Sequence, residues 1–212
     1  MQVKSSIHPF LLTWAVYVVL LLLAVIGTDQ LELHRIMHAY TAPWADRWFT
    51  VITHLADGLV PTALSIGLLF AVNMRAFLMM GLSCGLSAII VQVMKRVMAH
   101  DRPYMFKDRL GDLPWVDGLE LHHHLSFPSG HATAAFSMCF TLAVLIDRRA
   151  WSLVLGFLAA LLAYSRVYLS QHFTEDILAG AVLGTMVALG VQQWLDRSAW
   201  KSRAWLQWRP FN

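Results

Sequence analysis

Six long apolar runs dominate this chain, and they leave few folds open to it. A helix needs about 17–25 apolar residues to cross the ~30 Å hydrocarbon core of a bilayer. Runs of that kind read at about 10–27, 58–74, 77–98, 130–146, 150–168 and 176–195. In hydrocarbon the backbone must satisfy its own polar groups, so apolar spans of this length fold as helices. The expected class is all-α: a polytopic membrane protein with six transmembrane helices in a bundle, one domain over residues 1–212. The second run, "LVPTALSIGLLFAVN", is short and carries Pro61 in its first turn. Composition agrees, with 58% hydrophobic and 14% charged residues, against about one quarter charged in soluble domains.

The first run follows Lys4 and resembles a signal peptide, but it is long and lacks a small-x-small cleavage site, so it reads as an uncleaved anchor. The net charge of +3 is scattered over segment ends, with no patch for nucleic acid. Cys84 and Cys139 lie inside apolar runs and read as small core residues.

Lysine and arginine in short loops set orientation. With six spans both termini share a side, which carries Lys4, Arg75, Arg148, Arg149, Arg197, Lys201, Arg203 and Arg209 against only Asp147 and Asp196. The other side holds the remaining basic residues together with most of the acids. Both termini are therefore expected in the cytoplasm, with loops 28–57, 99–129 and 169–175 facing outward. Residues 31–49 read as one or two short helices on that outer surface. The tail "WKSRAWLQWRPFN" interleaves Trp with Lys and Arg, as an interfacial anchor does.

Charge at a membrane edge is costly and needs a reason. Three blocks on the outward side have one. "KRVMAHDRP" carries Lys95, Arg102 and Pro103; "FPSGHATAAF" carries Ser129, Gly130 and His131; "SRVYLSQHFTED" carries Ser165, Arg166, His172 and Asp176. Lys95 and Arg102 are two helical turns apart and would share a face if the third helix reached Arg102. Pro103 argues that the helix stops short of it.

Arginine forks and a lysine point charge suit phosphate oxygens. Ser129, Gly130 and His131 place backbone N–H groups at the start of a helix, a ready anion site. Asp176, four residues after His172, can accept from its ring and leave the other nitrogen as a nucleophile. His131 has no such partner nearby in sequence and suits a general acid. The chemistry is phosphoryl transfer through a phosphohistidine, with the positive cluster supplying electrostatic stabilisation.

In order, K-x6-R-P, P-S-G-H and S-R-x5-H-x3-D resemble the type 2 phosphatidic acid phosphatase superfamily. The motifs cover residues 95–176, and the six-span pattern extends the resemblance over most of the chain. The resemblance implies a bacterial inner-membrane phosphatase that uses no metal or other cofactor. It assigns Lys95, Arg102, Ser129, Gly130 and Arg166 to phosphate binding, His131 to acid catalysis, His172 to nucleophilic attack and Asp176 to orienting it. Ser165 matches the motif without an assigned role. The implied substrate is a lipid phosphate or diphosphate; undecaprenyl pyrophosphate is preferred over phosphatidylglycerol phosphate, phosphatidic acid and a lipid A phosphate, because a compact outward-facing chain suits carrier recycling.

Two other readings stay open. The same site could pass its phosphate to a second lipid, or could bind or transport lipid phosphates without catalysis, although a binder has no use for the His172–Asp176 pair. Vanadium haloperoxidases share the cradle but are soluble. The run His122, His123, His124 invites a metal or an anionic headgroup. The loop around it could cover the site or only connect helices. His8, His34, His38, His54 and His100 read as surface or satisfied core histidines. Nothing in the sequence sets an oligomeric state.

Overall fold

The computed structural model describes residues 4–197 and 203–210. Among these every regular element is helical, with no strand, and residues 111–129 form a long irregular connection. The α-helices are α1 (His8–Gly27), α2 (Gln30–His38), α3 (Pro43–Ile52), α4 (Leu59–Ala71), α5 (Met74–Met98), α6 (Lys107–Leu110), α7 (Gly130–Ile146), α8 (Arg149–Tyr168) and α9 (Thr174–Arg197).

Their boundaries follow local chemistry. Asn73 caps α5 by accepting from the Ala76 N–H at 3.0 Å. Asp29 caps α2 through the Leu31 and Glu32 N–H groups. Prolines sit in the first turn of α1 and α3, where no backbone donor is needed. Helix α5 ends at Met98, and Ala99 takes a left-handed turn with φ of 50°. Arg102 is already extended, φ −92° and ψ 164°, as a residue before proline prefers.

All six expected apolar runs are helical, but they are not six equal spans. The helical segments containing α1, α5, α8 and α9 are long and apolar enough to cross a bilayer. Helix α4 is only 13 residues long and joins α3 and the 3-10 turn Thr53–Ala56 in a pair bent by 49°, which makes a fifth candidate. The bend falls at Asp57 and Gly58, directly before the Leu59–Pro61 start of α4. Helix α7 is apolar but has 17 residues. The segment expected as one or two outer helices is two, α2 and α3, broken before Pro43. Both are tied to α8: Tyr164 Oη donates to Met37 O at 3.0 Å, and Tyr168 Oη donates to Asp46 at 2.5 Å.

Helix α7 is the centre of the bundle, packed by α5, α8 and α9. Its buried residues are mostly small, with Phe136 and Phe140 meeting Phe10 of α1 edge-on at 6.5 and 5.5 Å. Close approach of α7 and α9 depends on Gly180 and Gly184. A Cβ on Gly180 would sit 2.7 Å from Ser129 O, and one on Gly184 would collide with Thr133 O. Small residues spaced four apart let membrane helices touch backbone to backbone. Leu12, Leu20, Leu23, Ile89, Val93, Val154 and Phe157 point outward and are exposed, as lipid-facing residues are.

In the tail, Ala204–Gln207 forms a 3-10 turn with Leu206 buried, and Trp208 O accepts from Met74 N at 3.0 Å. Residues 200–202 and 211–212 of the expected anchor, including Lys201, lie outside the described residues, as does the Arg197 side chain. Cys139 is buried and Cys84 half-buried, both free.

Candidate active site

The three charged blocks converge at one end of the bundle. Ser129 is the N-cap of α7 and accepts from Ala132 N at 3.4 Å. Gly130 and His131 open that helix, Arg166 closes α8, and Asp176 lies in the first turn of α9. His172 sits in the five-residue link between α8 and α9. That link is locked by backbone bonds: Leu169 N and Ser170 N donate to Ser165 O and Val167 O, and Gln171 N and His172 N both donate to Arg166 O. Ser129 N donates to Asp176 O at 3.0 Å, which joins the starts of α7 and α9.

His172 is almost fully buried. Its Nδ1 lies 3.3 Å from Asp176 Oδ2. The same carboxylate oxygen accepts from Ser126 Oγ at 2.5 Å and from Phe173 N at 2.8 Å. With Nδ1 held, Nε2 is the nitrogen left for chemistry. Burial, and then the charges of Arg102, Arg166, Lys95 and His131, hold the ring well below the usual histidine pKa. His172 is therefore neutral at working pH, the state a nucleophile needs.

Arg102 is buried and aimed by three carbonyl oxygens. Its Nε donates to His124 O at 3.0 Å, and its Nη1 donates to Gln171 O and Gln171 Oε1 at 3.0 and 3.3 Å. Arg166 is buried with Nη1 donating to Thr53 Oγ1 at 2.9 Å. Its Nε has no hydrogen-bond partner among the described residues. Lys95, in the last turn of α5, acts electrostatically on Arg102, Arg166 and Asp176. A Cβ on Gly130 would meet only Val91 Cγ1 at 3.8 Å. Packing within the chain does not demand glycine there.

A cavity of about 160 Å³ lies beside His131, lined by Gly58, Ala88, Val91, Gly130, Thr133 and others. A second, of about 400 Å³, runs between α4 and α5. The two share Gly58, Cys84, Ala88 and Ala134, so the cavity beside His131 adjoins the largely apolar one between α4 and α5.

The superfamily profile described as PAP2 matches residues 76–200. The chain belongs to the PAP2 superfamily. An undecaprenyl-diphosphatase of Sulfolobus acidocaldarius is 34% identical over 109 residues, 50% of this chain and 50% of that protein. Phosphatidylglycerophosphatase B of Bacillus subtilis is 29% identical over 160 residues, 68% of this chain and 72% of that one. The crystal structure of Aquifex aeolicus LpxE superposes with a TM-score of 0.68 and 27% identity, covering 77% of this chain and 94% of that one. The chain spans about half the length of the relatives that carry the undecaprenyl-diphosphatase name.

Several polar residues of this cluster are not legible in the sequence. Ser126, fully buried, touches both His172 and Asp176. Thr53 holds Arg166 and accepts from Ser165 Oγ at 3.1 Å. Gln171 bridges Arg102 and Glu120 O. His131 does have a carboxylate partner, distant in sequence: Asp57 Oδ1, 2.8 Å from Nε2. The available signal was Asp57–Gly58 interrupting an apolar stretch, an acid at a membrane edge without an assigned use.

Among the described residues no group of three or more His, Cys, Asp or Glu could hold a metal ion. Of the run His122–His124, His123 and His124 meet Arg102 through their backbone carbonyls. Arg102 N donates to His123 O at 2.9 Å alongside the Nε bond to His124 O. The His123 ring stacks on Tyr104 and the His124 ring bonds Asp101 at 2.6 Å. His34 and His38 are buried core residues, His34 with Nε2 3.2 Å from Ser170 Oγ.

Proposed function

We propose that this chain is a metal-independent lipid phosphatase acting through a phosphohistidine on His172. The observation that carries this reading is a buried, neutral His172 tied to Asp176 within the field of Arg102, Arg166 and Lys95. A binding protein needs the cations but not the histidine–carboxylate pair.

The phosphate rests on the N–H groups of Gly130 and His131 at the start of α7, where the helix dipole favours an anion, with the Ser129 hydroxyl as a further donor because the Ser129 N–H is already given to Asp176 O. Lys95, Arg102 and Arg166 take its equatorial oxygens and offset the charge that spreads over them in the transition state. The partnerless Nε of Arg166 supports an oxygen acceptor at this place. His172 Nε2 attacks phosphorus while Asp176 holds Nδ1–H. The bond to the leaving oxygen breaks, and that oxygen takes a proton from His131. Water then attacks phosphorus and the P–N bond breaks. The proton lost by water returns to His131, and inorganic phosphate leaves.

The substrate is a lipid phosphate or diphosphate, with undecaprenyl diphosphate preferred. The adjoining cavities beside His131 and between α4 and α5 support a chain-bearing substrate, because a headgroup at the cradle would have its tail beside α4 and α5. In this reading the chain crosses the membrane six times, with α4 and α7 as the short spans. Both termini are cytoplasmic, the bundle sits in a bacterial inner membrane, and the site faces outward.

The test is phosphate release from undecaprenyl diphosphate by purified protein in detergent with EDTA, beside His172→Ala. Release that survives EDTA and disappears in the variant supports the reading. Loss with EDTA overturns the metal-free mechanism; release retained in His172→Ala overturns the nucleophile. No release by well-folded protein overturns the preferred substrate, and glycerophospholipid phosphates and lipid A are tried next. Supplying a second lipid and weighing the products by mass spectrometry separates hydrolysis from phosphate transfer.

A further inference from the structure

Two histidines share one field of positive charge, yet they need opposite protonation states. His172 must be neutral to attack. His131 must carry an extra proton to give away, yet it is largely buried and shares the positive field of Arg166 and Lys95. Something must favour a cationic ring at His131 alone.

Asp57 stands in the right place. It follows the turn Thr53–Ala56 and precedes α4. Its Oδ1 lies 2.8 Å from His131 Nε2, and its Oδ2 lies 2.7 Å from His54 Nδ1. Its chain neighbours Ala56 and Gly58 line the same cavity as His131, so the carboxylate sits at the wall of the reaction space. The contrast with Asp176 is informative. Asp176 Oδ2 accepts from a hydroxyl and a backbone N–H as well as facing His172, so its charge is already shared among neutral donors. Asp57 faces two imidazoles, and among the described residues its carboxylate has no such neutral donor.

We infer that Asp57 is the positioning residue of His131, accepting from Nε2–H so that Nδ1–H points to the leaving oxygen of the substrate and the imidazolium is favoured. The inference rests on the reading of His131 as general acid. In the first half-reaction the electron pair of the breaking P–O bond stays on the leaving oxygen, and the Nδ1 proton of His131 moves onto it. His131 becomes neutral while still donating Nε2–H to Asp57. In the second half-reaction the attacking water returns a proton to Nδ1.

The test exploits leaving-group chemistry. An alkoxide leaves only with a proton, whereas a nitrophenolate leaves without one. Full-length Asp57→Asn is assayed in detergent on dodecyl phosphate and on a nitrophenyl phosphate bearing a dodecyl chain. The ratio of alkyl to aryl kcat/KM, which reports the step that expels the leaving group, should fall at least about tenfold, a share of the roughly 10²–10⁴-fold that general acids contribute. Asp57→Glu should recover part of it. The ratio is internal to each sample, so partial unfolding lowers both rates and cancels. His131→Ala is run beside it. If His131→Ala slows both esters equally, His131 is not the acid and the reading beneath the inference fails. If His131→Ala is selective and Asp57→Asn leaves the ratio at its wild-type value, Asp57 does not position the acid and the inference is overturned.

Discussion

Removing one hydroxyl, at Ser126, should slow the proposed reaction markedly while leaving the fold in place. Ser126 Oγ donates to Asp176 Oδ2 at 2.5 Å and lies 3.3 Å from His172 Nδ1, in a fully buried position. A hydrogen bond to a charged group contributes about 1.5–3 kcal/mol. Asp176 keeps Phe173 N and His172 after Ser126→Ala, so it is weakened and not freed. If the bond acts mainly through orientation of His172 in the transition state, about 1.4–3 kcal/mol of barrier corresponds to a loss of roughly ten- to 150-fold in kcat. Alanine keeps the Cβ, so the cavity left is smaller than a methyl group and packing changes little. The assay is steady-state phosphate release at saturating lipid, with a melting curve in the same detergent. A kcat within about twofold of wild type, in a protein that melts normally, would mean that the hydroxyl does not hold Asp176 for His172.

Three further outcomes follow from the same coordinates. Gly184→Ala drives a Cβ into Thr133 O on α7, so it should destabilise the bundle by at least about 1–3 kcal/mol, read as a lowered Tm in detergent. Arg102→Lys keeps the charge but cannot make the bonds to both His124 O and Gln171 O; kcat/KM should fall at least about tenfold. Burial, then neighbouring His38, lowers His34 to about 3. Its unfolded form titrates near 6.5, so unfolding takes up a proton below that pH. Stability is full above about 6.5 and falls by roughly 1.4 kcal/mol per pH unit as pH drops toward 3. His34→Asn should flatten that slope in a pH series of melting curves, and an unchanged slope would refute the assignment.

Much of this protein is determined by its linear pattern. Apolar runs of bilayer length dictate helices because no other backbone satisfies its own polar groups in hydrocarbon. The ends of those helices follow from local residues: Pro103 keeps Arg102 extended, and Ser129 caps α7. The blocks around Lys95, Ser129 and Arg166 were visible because costly charge at helix ends draws attention, and their spacing limits which helix ends can carry them. The division of spans was less visible. Hydropathy alone does not show that α4 stops after 13 residues and bends by 49° against the preceding helical segment; Asp57–Gly58 marks the place of the break but not its angle.

Tertiary structure alone decided the partners. Ser126 lies 50 residues from Asp176, Thr53 lies 113 from Arg166, and Gln171 lies 69 from Arg102. No periodicity links such positions; they meet because α7 and α9 touch at Gly180 and Gly184 and the turn Thr53–Ala56 packs on α7 and α8. Sequence states which chemistry the chain carries, since charge and apolarity are properties of single residues. Which carboxylate faces which histidine depends on the meeting of helices, and so Asp57 found His131 only in the folded bundle.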